Sequence, residues 1–112
     1  MKFAVSTDGE GGPDAVVATD FGRGDTFTIV EAEGTEIRSV RVVDNDGRRI
    51  AQGAGIAAAD QVILEGVDAV VAGHFGPHAE EIFGEEGIVI VYMPRVTVRE
   101  AVERYHTAVQ GT

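Results

Sequence analysis

Residues 66–83 read GVDAVVAGHFGPHAEEIF, and the reading of this stretch decides the fold. Val67–Ala72 is rich in small and β-branched apolar residues, the pattern of a strand buried on both faces of a parallel sheet. Gly73-His74-Phe75-Gly76 interrupts it, and Pro77 follows at a position where its missing N–H costs a helix nothing. Pro77–Phe83 is therefore predicted to be a short helix, with Gly87 as its stop. A buried strand that turns directly into a helix is half of a β-α-β unit.

Working outward, Ile88–Tyr92 is predicted to be the next buried strand, and Thr97-Val98-Arg99-Glu100 is a capping box that opens a last helix reaching Val109. Upstream, Ile56, Ala59, Val62 and Ile63 recur at helical spacing within Gly55–Leu64, closed by Gly66. Earlier still, Thr26–Glu33 and Glu36–Val43 are β-branched runs separated by Gly34-Thr35, a hairpin signal. Lys2–Ser6 reads as a short buried strand, residues 8–14 as a glycine-rich loop, and Asp44–Gln52 as a turn and polar linker. The expected order is β-β-β-α-β-α-β-α: an α/β chain with a mixed five-stranded sheet and about three helices. Residues 1–112 are expected to form a single domain.

Composition narrows the chemistry. Nineteen acidic residues against nine basic ones leave a formal charge of −10, which repels phosphate backbones and argues against a nucleic-acid partner. No apolar run approaches the roughly 20 residues of a membrane helix, and the N-terminus lacks a signal-peptide pattern, so no membrane association and a cytoplasmic location are expected. The chain has no cysteine, which removes disulfides, thiol nucleophiles and thiolate-held clusters. No G-x-S-x-G elbow, Walker A or H-E-x-x-H motif occurs, so no catalytic residues are assigned.

In such sheets, ligands sit beyond the carboxyl ends of the parallel strands, against helix N-termini. Three turns qualify: Gln52-Gly53-Ala54-Gly55, Gly73-His74-Phe75-Gly76-Pro77-His78 and Pro94-Arg95-Val96-Thr97. Backbone amides of the first two, with the Arg95 guanidinium, form a candidate anion cradle walled by Phe75. Alternatively, the glycines serve only tight turns.

His74 and His78 are candidate metal ligands, although Gly76 and Pro77 keep them off one regular helix face. The plain alternatives are an exposed turn histidine and a helix N-terminal residue. His106 reads as a partner of the last helix's dipole, and Glu80-Glu81 with Glu85-Glu86 as a solvated face. In Asp20-Phe21-Gly22-Arg23-Gly24, Asp20 is expected either to face the cavity of His74 or to accept backbone hydrogen bonds within its own turn. A further option gathers Asp8, Asp20 and Asp68 into a magnesium-binding cluster of hydrolase or nuclease type, against the charge of the chain.

Taken in order, MKFAVSTDG, DFGRGDTFTIVE, QGAGIAAADQVILEGVDAVVAGHFGPHAEEIF, GIVIVY and TVREAVERY resemble the dinitrogenase iron-molybdenum cofactor biosynthesis family, which includes NifX-like proteins and the C-terminal domain of NifB-like proteins. The resemblance spans nearly the whole chain. It implies a ribonuclease H-like fold and a carrier, not a catalyst. The implied ligand is an anionic iron-sulfur or iron-molybdenum-type cluster or cofactor precursor, and the implied partners are cluster-assembly proteins. Asp20 and Gln52 stand where the family commonly has histidine, while His74 and His78 occupy positions where it often has polar amides. The site implied is Asp20, Arg23, Gln52, Gly53, Gly55, Gly73, Phe75, Gly76 and Arg95, with His74 or His78 as the direct metal ligand. A regulatory interaction module is the third functional reading.

Overall fold

The structure, a computed structural model, describes residues 1–110. The strands are β1 (Lys2–Thr7), β2 (Thr26–Glu33), β3 (Glu36–Asp44), β4 (Ala69–Ala72) and β5 (Val89–Tyr92); the helices are α1 (Ala54–Ile63), α2 (Pro77–Glu85) and α3 (Val98–Gln110). They form one five-stranded sheet in the order β3-β2-β1-β4-β5. β2 runs antiparallel to both β1 and β3, whereas β1, β4 and β5 are mutually parallel. This is the mixed sheet with three helices that the hydrophobic pattern predicts.

Alternation along the central strands divides the core in two. On one face, Ala4, Phe27, Ile29 and Val70 pack against Ala58, Ala59 and Val62 of α1 and Ala79 and Phe83 of α2. On the other, Phe3, Val5, Val30, Ala69 and Val71 meet Val98, Ala101 and Val102 of α3. α3 opens as its capping box predicts, with the Glu100 N–H donating to Thr97 Oγ1 at 3.1 Å.

Four local expectations change. The polar linker after β3 contains a 3-10 turn at Asp46–Arg49, because Asn45 accepts from the Gly47 N–H and caps it. β5 is an edge strand, with Val89 and Tyr92 about half exposed, and so is not buried on both faces. In α1 the buried stripe is Ala54, Ala58, Ala59 and Val62, and Ile56 faces outward. β4 begins at Ala69, two residues later than expected.

Candidate functional site

Because β1, β4 and β5 are parallel, their carboxyl ends lie along one edge of the sheet. The chain departs from β1 in one direction, to β2 and β3, and reaches β4 and β5 in the other. A crevice outside the strand ends is expected at such a reversal. Here it is bordered by the turns that enter α1 and α2.

Four of the five phenylalanines fix those turns. Phe21 stacks on Phe75 with ring centroids 5.1 Å apart, and also contacts Phe27 at 5.3 Å and Phe83 edge-on at 5.2 Å. Each such pair contributes about 0.5–1.5 kcal/mol beyond its area burial. The cluster ties the Asp20–Arg23 segment to the turn before α2. Phe75 is thus a core residue, 2% exposed, and not the cavity wall it was expected to be. Its neighbours His74 and Gly76 take that place because backbone direction alternates around a side chain turned inward.

The cavity has a volume of about 520 Å³ and is bounded by Asp20–Arg23, Ala51–Ile56, His74 and Gly76–Ala79. Both helix N-termini open into it. α1 begins after Gly53 and α2 after Gly76, and neither N-terminus has a side-chain cap. The first-turn N–H groups of α1, with those of His78 and Ala79 in α2, are the donors that a helix leaves without intrahelical partners. Both helix dipoles add positive potential at the same place. The cavity therefore combines helix-end amides that lack intrahelical partners with two imidazoles.

The other expected residues divide. Asp20, Arg23, Gln52, Gly53, Gly55, Gly76, His74 and His78 all border this cavity. Arg23, however, donates to the carbonyls of Ile50 at 2.9 Å and Ala51 at 3.3 Å, which makes it a clamp on the wall before α1. Gly73 and Arg95 lie in an adjoining hollow of about 410 Å³ with Thr19, Tyr92, Met93 and Pro94; His74 borders both spaces. Arg95 does not join the amide cradle: it pairs with Asp8 at 2.6 Å and reaches Thr19 Oγ1 at 3.3 Å. The turn carrying Arg95 follows β5, at the far edge of the sheet from α1. In the same hollow, the Tyr92 hydroxyl donates to Glu80 at 2.7 Å, which raises the pKa of Tyr92 above its ordinary 10.0.

The proposed cluster of Asp8, Asp20 and Asp68 does not form. Asp8 follows the carboxyl end of β1, whereas Asp68 precedes β4 and accepts the Lys2 N–H at 2.8 Å at the sheet's opposite edge. Among the described residues, no three His, Asp or Glu side chains are arranged to hold a metal ion. His106 lies against the Gly34 turn between β2 and β3.

Sequence reasoning missed Asn45, which is 2% exposed. Its amide donates to the carbonyls of Gly24 at 2.9 Å and Gly22 at 3.2 Å, so it joins the Asp20–Gly24 segment to the turn before α1. The Asn45-Asp46-Gly47 turn signal marks its local bond, but nothing in the sequence marks the two acceptors more than twenty positions away.

Residues 1–108 match the model of the family described as dinitrogenase iron-molybdenum cofactor. The chain is 32% identical to the orange protein of Desulfovibrio gigas, whose apo structure superposes with a TM-score of 0.84, covering 98% of this chain and 88% of that one. A Thermotoga protein provisionally assigned as NifB is 25% identical, with a TM-score of 0.76 and coverage of 93% and 85%. An uncharacterised protein of Methanocaldococcus jannaschii is 28% identical over 105 residues, 94% of this chain and 85% of its own length.

Proposed function

Because the chain belongs to the dinitrogenase iron-molybdenum cofactor family, we propose that it is a non-catalytic carrier whose cargo is an anionic iron-sulfur or iron-molybdenum-type cluster, or a precursor of one. The observation that carries this reading is the opening of two uncapped helix N-termini, α1 and α2, into one cavity bordered by His74 and His78. Amides around Gly53, Gly55 and Gly76 meet the negative charge of the cargo. An imidazole supplies the direct bond to metal, since no thiolate is available in a chain without cysteine. Gln52 and Asp20 stand at the mouth, and Arg23 holds the wall. Arg95, paired with Asp8, stays in the neighbouring hollow outside this cradle.

The sheet order, with β2 the one strand opposed to the rest, supports the ribonuclease H-like label for this single-domain chain. A carrier role also implies cluster-assembly proteins as partners and a cytoplasmic setting. No described helix is long and apolar enough to cross a membrane.

Anaerobic incubation with ferrous iron, sulfide and molybdate, followed by gel filtration, tests the reading. The expected result is visible absorption and metal co-eluting with the wild-type chain, both reduced in His74→Ala and His78→Ala. A colourless, metal-free wild type overturns it.

A further inference from the structure

Asp20 and His74 are 54 positions apart in sequence, yet the backbone makes them neighbours. They form an isolated parallel bridge, and the Phe21 N–H donates to the His74 carbonyl at 2.9 Å. Directly paired residues project their side chains together, and here the Asp20 Oδ1 stands 3.3 Å from the His74 Nδ1 at the cavity mouth. Asp20 also precedes a 3-10 turn, Phe21–Arg23, where an aspartate would ordinarily cap the first free N–H groups. Its side chain makes no such cap. The carboxylate is thus turned away from its own turn and toward the imidazole.

We infer that Asp20 is a positioning residue that acts on the cargo through His74. The inference rests on the carrier reading above. A neutral imidazole carries one ring proton, and the partner of one nitrogen decides what the other can do. A carboxylate beside Nδ1 holds the proton there and leaves the Nε2 lone pair free to bind metal. Metal-binding histidines commonly have this arrangement, in which a carboxylate fixes both tautomer and ring orientation. It also accounts for an acidic residue at the mouth of an anion site: its carboxylate stands beside an imidazole nitrogen. The site accordingly offers the cargo an oriented nitrogen, Nε2 of His74, at the ridge between the two hollows, in the cavity that His78 also borders.

The tautomer is measurable without any cluster. In ¹⁵N-histidine-labelled full-length chain, at a pH where imidazole is neutral, His74 should carry its proton on Nδ1, with its resonances assigned from the His74→Gln spectrum. Asp20→Ala should move the proton to Nε2 and lower retention of a cluster built from ferrous iron, sulfide and molybdate about ten- to a hundredfold. Asp20→Asn keeps an acceptor oxygen and should restore part of both effects. A wild-type His74 protonated on Nε2 overturns the inference, as does an Asp20→Ala chain that loads like wild type. Failure of the wild type itself to load overturns the carrier reading and the dyad's role in it, whereas the tautomer result then still reports on the Asp20–His74 pair alone.

Discussion

Gly22 lies against the amino end of α1 so closely that a β-carbon on it would stand 2.9 Å from the backbone nitrogen of Gly55. Both residues border the cavity, and the backbone they would have to move forms its wall. Gly22→Ala is therefore expected to push the Asp20–Arg23 segment away from α1. The expected loss of stability is about 1–3 kcal/mol, as for an overfilled core, together with weaker cargo retention. Urea unfolding checks the first part, and an unchanged midpoint would count against so tight a contact.

Gly53 precedes α1 with φ +78°, and a β-carbon there would meet nothing within 4 Å. Substitution by alanine thus costs only the left-handed backbone, about 1–2 kcal/mol. Asparagine, which tolerates that conformation, should recover part of the loss. Comparing Gly53→Ala with Gly53→Asn in urea separates this backbone cost from any steric one.

Asn45 holds three backbone groups at once: two carbonyls accept from its amide, and its oxygen accepts the Gly47 N–H. Asn45→Ala should cost about 2–3 kcal/mol because buried polar groups lose their partners. Asn45→Asp should cost more, since a carboxylate then faces two carbonyl oxygens. Equal stability of the two variants would contradict the assigned direction of the bonds.

Tyr92 should ionise above pH 10.0 in the folded chain, because its hydrogen bond to Glu80 favours the protonated phenol. Its contribution to stability is then complete below the unfolded pKa and lost as the pH rises through the folded value. Titration of tyrosinate absorbance should show a late component that disappears in Tyr92→Phe. In Glu80→Gln that component should move back toward 10.

Much of the framework was legible because it depends on local pattern. The β-branched runs around Gly34, the proline at the start of α2 and the Thr97 cap each act over a few residues, and the observed elements begin and end close to where those signals put them. Burial on an edge was harder to read. Ile88–Tyr92 has the composition of a central strand, but nothing follows β5 in the sheet, so its outer side stays open. Phe75 misled in the opposite sense. Between glycines and histidines it resembles an exposed turn residue, yet Phe21, from a segment more than fifty positions earlier, offers it a ring to stack on.

By itself the sequence determined the α/β class, the mixed sheet with its hairpin and the two glycine turns that open α1 and α2, since these follow from spacing and turn chemistry along the chain; the family was legible only as a resemblance of motifs taken in order. Only the tertiary structure decided which charged groups meet. It sent Arg95 to Asp8, Arg23 to the carbonyls of Ile50 and Ala51, and Asp20 to His74, while leaving Asp68 at the far edge. The physical reason is that a charge finds its partner through space, and the order of strands in the sheet sets those distances.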